Sequence, residues 1–205
     1  EKNGFDETFT ILYSGNIGEH HDLETLIRAA PRLPDDIHVV IIGEGDKKDD
    51  LIALAEKLDV RGETVKFLPF QEWDDLPYTL TSGDISVVTV REGFKGLCVS
   101  CKVYTALATG QPILVISEDG DDEATLVKKH DAGMQVEQGD VEGVRSVIEQ
   151  WYDDEELVQR QSTNARAAFE QKYTKEASLD QYYAVLGEAE IAEHETEEMT
   201  PAVQS

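Results

Sequence analysis

Two short segments of this 205-residue chain concentrate the residue types that do chemistry. REGFKGLCVSCK, residues 91–102, carries Arg91, Lys95 and Lys102 against a single acid, Glu92, and holds both cysteines, Cys98 and Cys101. GNIGEHHD, residues 15–22, puts Gly15, Asn16 and Gly18 ahead of the adjacent His20 and His21. Cations and a glycine-rich turn before a helix suit an anion, because bare backbone N–H groups and the helix N-terminus both favour negative charge. A C-x-x-C pair suits redox chemistry or zinc. A thioredoxin-like pair belongs after the first strand of its unit, and zinc needs two further ligands, which neighbouring histidines cannot both supply to one metal. The thiols therefore read as incidental to a backbone anion site, with Cys98 as apolar packing.

The individual residues keep alternative readings. Lys102 falls in the first turn of a helix, a poor place for a cation unless an anion sits against it; otherwise it is a lysine on an exposed helix face. Gly15–Gly18 is a phosphate loop or a plain tight turn. His20 and His21 are phosphate or catalytic contacts, or a polar helix start, the reading preferred for at least one of them. Glu92 touches a ligand hydroxyl or pairs with Arg91. Trp73 and Trp151 fall in helical stripes and read as packing. No Ser-His-Asp set can be assembled.

Alternating elements must position these segments. FTILYS (9–14), HVVIIG (38–43), VKFL (65–68), ISVVTV (85–90), PILVIS (112–117) and AGMQV (132–136) read as strands. Between them Leu23, Leu26, Ile27, Ala30 and then Leu51, Leu54, Ala55, Leu58 keep the helical period, and residues 72–81 read as a short helix. Helices dominate after Val144. This pattern predicts an α/β fold, a doubly wound, six-stranded parallel Rossmann-like sheet in the order 3-2-1-4-5-6 with a helical C-terminus. In that order the crevice opens between the carboxyl ends of strands one and four, where both chemistry-bearing segments begin. Glu44, in the turn GEGD, is not placed as a dinucleotide site requires.

Composition bounds the partners. The chain has 43 acidic and 18 basic residues, a net charge of −25, yet residues 91–102 carry a local +2. Nucleic acid is disfavoured as a partner. Acids spread from Glu7 to Glu198 suit a surface adapted to high salt, with a surface for a basic partner as the other reading. No apolar run approaches the ~18 residues of a membrane span, and residues 1–8, without a basic n-region leading into an apolar h-region, do not read as a signal peptide. Residues 1–8 read as a linker remnant of a longer protein, 9–186 as the ligand-binding domain, and 187–205, with six Glu and no Lys or Arg, as a frayed or disordered acidic tail.

In order, ILYSGNIGEHHDLETLIRAAPRL, VVIIGEGDKKDDLIALAEKL, VKFLPF, SGDISVVTV, VSCKVYTALATGQPILVI, DAGMQVEQGDVEGVRSVIEQWYDD and NARAAFEQKYT resemble the C-terminal half of the family 4, GT-B-fold glycosyltransferases. The likeness runs from about Phe9 to Leu186 and is nearest to the exopolysaccharide and O-antigen subgroup with a P-S-K-x-Y-x-x-L-A-x-G-x-P helix. It implies the donor-binding half of a retaining enzyme that moves a hexose-type sugar from a nucleoside-diphosphate sugar to a glycan or lipid-linked acceptor. It also implies no metal or other cofactor, an N-terminal acceptor domain outside this chain, inactivity of this half alone, and a cytoplasmic or inner-membrane-peripheral location.

Lys102 stands at the lysine of that helix, with Ser100 and Cys101 in place of its Pro and Ser. Asn16 stands where many members have Arg, His21 where many have Lys, and Thr105 at the second Glu of an E-x7-E pair whose first Glu is echoed by Glu92. The resemblance thus implies Lys102 and Glu92 as catalytic residues. Donor contacts are implied at Gly15, Asn16, Gly18 and Phe70, at Arg91, Lys95 and Gly96, and at Ser100, Cys101 and Thr105. Two other classes remain open: a non-catalytic transferase-like subunit, and half of a nucleotide-sugar epimerase.

Overall fold

The computed structural model describes residues 8–97 and 99–198. Six strands form one parallel sheet in the order β3-β2-β1-β4-β5-β6. They are β1 Phe9–Ser14, β2 Ile37–Ile42, β3 Val65–Leu68, β4 Ile85–Thr89, β5 Ile113–Ile116 and β6 Gly133–Val136. The helices are α1 Glu24–Ala29, α2 Lys48–Lys57, α3 Leu76–Leu80, α4 Lys102–Thr109, α5 Asp122–His130, α6 Val141–Asp153, α7 Glu155–Ala168 and α8 Lys175–Glu198. Each expected strand is present, and the order is the one the alternation requires.

The sheet has two covered faces, so its strands are apolar almost throughout. Successive side chains point to opposite faces. Ile11, Tyr13, Val39, Ile41, Leu114 and Ile116 face α1, α2 and α6 in the larger core. Val88, Ile113 and Val115 face α4, α5 and α7 in the second. On that second side Leu12, Val40 and Ile42 gather with Leu68 in a small separate cluster. The crossover from β3 to β4 carries just a 3₁₀ turn, Trp73–Asp75, and the five-residue α3. Beside this short helix lies a cleft lined by Leu12 of β1 and by Leu76 and Leu80 of α3.

Trp151 is 1% exposed, as expected, and its indole N–H donates to Gln161, itself buried, at 2.7 Å. Trp73 corrects the packing reading: it is 83% exposed. Its stripe with Leu76 and Leu80 is real, but that stripe faces an open cleft instead of the core. Past Gly187 the expected frayed tail is helical as far as Glu198. The run EAEIAEHETEE is rich in Ala and Glu, which are strong helix formers. Residues 1–7, 199–205 and Cys98, with the linker, tail-end and packing readings they carry, lie outside the described residues.

Candidate functional site

A cleft of about 530 Å³ opens over β1 and β4, walled by α3 on one side and α4 on the other. Its lining includes Ser14, Gly15 and Asn16 from the end of β1, Phe70, Gln71 and Trp73 after β3, and Cys101, Lys102 and Thr105 at the start of α4. Leu12, Leu76 and Leu80 make much of its floor and wall apolar. The crevice expected at the winding reversal is thus occupied by residues from both chemistry-bearing segments.

The glycine-rich loop is held from below. Gly15 N–H continues the sheet ladder to Ile42 O at 2.9 Å, and Ile17 N–H donates to Glu44 O at 2.9 Å. The loop lies so close on the turn after β2 that any Cβ at Gly43 would clash with the Gly15 carbonyl. Hence GEGD is more than a plain turn: its glycines let two backbones touch. From within, the fully buried Tyr13 donates its hydroxyl to Asn16 O at 2.5 Å. Burial pushes that phenol far above its ordinary range, so it stays a neutral donor. Gly18 closes the loop with Asn16 Nδ2 against it.

Lys102 is the first residue of α4, where the helix dipole disfavours a cation. Gly15, Tyr13 and His21 are among the residues that receive it. Its stem runs directly under Gly15. Its ammonium lies 5.5 Å from the Tyr13 ring centroid, within cation–π range. Nζ is also 3.3 Å from Nε2 of His21. The other ring nitrogen of His21, Nδ1, is 2.9 Å from Thr89 O. A carbonyl only accepts, so Nδ1 carries the proton and Nε2 offers its lone pair to Lys102. Burial first, then Lys102 and His20, hold this imidazole below its usual pKa, against the opposing pull of the Thr89 bond. His20 instead stacks toward Phe94, with centroids 4.3 Å apart. The adjacent histidines therefore diverge: His21, set by the resemblance where many members have Lys, meets Lys102, and His20 turns to Phe94.

The other expected contacts are distributed differently. Gly15, Asn16, Phe70, Cys101, Lys102 and Thr105 line the cleft together. Arg91 does not join them: it pairs with Glu19 at 3.2 Å and Glu24 at 3.6 Å, not with Glu92. Lys95 donates to Asp119 O at 2.7 Å. Glu92 and Gly96 sit in the exposed loop between β4 and α4. Of the local cations, Arg91 is thus met by acids distant in sequence and Lys95 by a backbone carbonyl. Ser100 is buried and donates its N–H to Glu123. Glu123 and Asp121 are both buried, and Asp121 Oδ1, Asp121 Oδ2 and Glu123 Oε2 lack hydrogen-bond partners among the described residues. Burial, then the charge of Asp121, hold Glu123 above the usual carboxylate range, while the Ser100 bond pulls the other way. This acid pair behind α4 carries no signal in the linear sequence. Cys101 is a free, exposed thiol. Among the described residues no group of three or more His, Cys, Asp or Glu is placed to hold a metal ion.

Residues 1–168 match the family described as Glycosyl transferases group 1. The chain belongs to this family. WcaI of Escherichia coli (strain K12), named as a colanic acid biosynthesis glycosyl transferase, is 32% identical over 179 residues, covering 86% of this chain and 42% of WcaI. The lipopolysaccharide core biosynthesis glycosyltransferase LpsE of Rhizobium meliloti (strain 1021) is 27% identical, covering 86% of this chain and 49% of LpsE. Anabaena HepE, solved in complex with UDP-glucose, superposes with a TM-score of 0.78 at 18% identity, over 91% of this chain and 50% of HepE. The chain spans less than half the length of the two curated relatives. Membership of the glycosyl transferases sets aside the epimerase half, and the GT-B resemblance read from the sequence motifs stands. No described helix is long and apolar enough to cross a membrane.

Proposed function

We propose that this group 1 glycosyl transferase domain binds the nucleoside-diphosphate-sugar donor of a retaining hexosyl transfer. One observation carries the reading: Lys102 opens α4 directly beneath the Gly15 loop, in a cleft whose outer wall is aromatic. A diphosphate there meets the lysine ammonium and the first N–H groups of α4. Such preorganised donors stabilise charge that develops on a leaving diphosphate without a metal. Phe70 and Trp73 offer ring faces to a nucleobase. The HepE complex supports a uridine nucleotide as the first to try.

In this reading the acceptor, a glycan or lipid-linked sugar, is presented by an N-terminal half outside this chain, and the domain alone binds donor without transferring it. Glu92 is kept with Lys102 as a catalytic residue and Thr105 as a donor contact, and Arg91 and Lys95 assist only after leaving their present partners. The reaction takes place in the cytoplasm, at the inner membrane face if the acceptor is lipid-linked.

Titration calorimetry with UDP and UDP-glucose tests the reading. A charge-assisted hydrogen bond is worth roughly 1.5–3 kcal/mol, so Lys102→Ala should weaken binding about ten- to a hundred-fold, while Cys101→Ser changes it little. Equal affinity in parent and Lys102→Ala, or loss of the ligand in Cys101→Ser, sinks the assignment.

A further inference from the structure

We propose that His21 is the proton-accepting partner of the anion site: neutral in the empty cleft, where it holds Lys102, and protonated to a second cation when a diphosphate binds. The inference rests on the donor-binding reading above and adds to it a proton and a positioning role.

The geometry leaves His21 one arrangement. Thr89 O fixes the proton on Nδ1, and Nε2 accepts from the Lys102 ammonium. The ring is clamped between β4 and α4, with its edge toward Tyr13 at 5.9 Å between centroids. The groups facing it are Lys102 from α4, the Tyr13 phenol from β1, the Thr89 carbonyl from β4, and His20 beside it in the loop. In the empty site a proton on Nε2 would set two cations 3.3 Å apart, a cost that keeps the ring neutral. A diphosphate drawn to Lys102 reverses this. It takes the ammonium as its own donor, frees Nε2, and brings negative charge within a few ångströms of the ring. The imidazole then gains by taking a proton from solvent, with Thr89 still holding Nδ1–H.

Linkage sets the sign. The empty-state pKa of His21 is lowered and the bound state raises it. Binding therefore takes up a proton between the two values, and affinity climbs as pH falls through the bound-state pKa and levels off below the empty-state pKa. His21 is a positioning residue for Lys102 before binding and a direct electrostatic partner after it.

The probe is UDP-glucose, whose diphosphate is esterified at both ends and keeps its charge from pH 5 to 8. UDP is unsuitable because its terminal phosphate titrates in the same window. Calorimetry of the 205-residue chain at each pH, in two buffers of different ionisation enthalpy, counts protons taken up. The expected result is a substantial fraction of one proton per UDP-glucose near pH 6–7, and affinity about ten-fold tighter at pH 5.5 than at pH 8. His21→Gln keeps an acceptor for Lys102 and should abolish the uptake. His21→Lys should bind with the same affinity at both pH values, and His20→Gln should keep the uptake. Ring ¹⁵N shifts of the parent give a readout independent of any variant: Nδ1–H His21 when empty, both nitrogens protonated when bound near pH 6.5. Binding of UDP-glucose without proton uptake, uptake that survives in His21→Gln, or a bound His21 that stays neutral at pH 5.5 overturns the inference and leaves the donor site intact. Failure of UDP-glucose to bind at any pH overturns the donor reading and this inference with it.

Discussion

A methyl group on Gly15 would occupy the space held by the Cε methylene of Lys102. The glycine loop and the lysine of α4, 87 positions apart in the chain, are thus one steric unit: the loop is the roof under which the ammonium is aimed. Gly15 also has φ of +147°, which side chains rarely adopt. Gly15→Ala should therefore displace Lys102 and weaken UDP-glucose binding about ten- to a hundred-fold, as Lys102→Ala does. The double variant should lose little more than either single one, because both remove the same interaction. Calorimetry of the three proteins checks this, and additive losses would show that the roof acts separately.

Phe70 is 55% and Trp73 83% exposed, so neither contributes much to the core. If they receive a nucleobase, each alanine substitution should weaken UDP-glucose binding by the roughly 0.5–1.5 kcal/mol of an aromatic contact, about two- to ten-fold. The melting temperature of the empty protein should hardly move. A large drop in stability with unchanged affinity would return these rings to a packing role.

Glu123 gives a pH-dependent stability test. Its folded-state pKa is raised, by burial first and Asp121 second. Folding therefore favours its protonated form: that stabilisation is complete below the unfolded pKa, about 4.3, and is lost as pH rises through the folded value. Glu123→Gln keeps an acceptor for Ser100 N–H and removes the charge. It should melt roughly 2–4 °C above the parent at pH 8, the shift of about 1 kcal/mol in a domain of this size. The gap should close toward pH 4. A lower melting temperature at pH 8 would mean that the charge itself is needed.

The net charge of −25 predicts a salt response. Repulsion among carboxylates opposes compaction and is screened by salt. The melting temperature should rise steadily from dilute buffer to molar KCl. A flat or falling curve would leave the acidity as a surface for a basic partner.

The strand order was readable because β1, β2, β4 and β5 are short, largely apolar runs separated by helical patterns, and such alternation has few ways to be buried. The lining of the cleft was partly readable. Periodicity correctly grouped Trp73 with Leu76 and Leu80, but it reports which residues share a face, not what covers that face. Local charge counting failed for Arg91 because its partners Glu19 and Glu24 arrive from the loop after β1 and from α1. Residue type alone does not separate His21 from His20; the resemblance set His21 where many members have Lys, but gave it no partner. What separates them is the Thr89 carbonyl, 68 residues away, and that proximity exists only once β1 and β4 are side by side. The buried pair Asp121 and Glu123 sits in an acidic stretch, DGDDE, that resembles a solvated helix start.

The two tryptophans of the chain divide the molecule between them. Trp151 is sealed in the core against Gln161, and Trp73 stands in water at the lip of the cleft. Their fluorescence should separate accordingly, with blue-shifted, quencher-resistant emission from Trp151 and red-shifted emission from Trp73 that acrylamide and an arriving nucleobase both quench. Occupancy of the cleft and integrity of the fold are then written in different parts of one spectrum, and both can be followed in a single tube without a label.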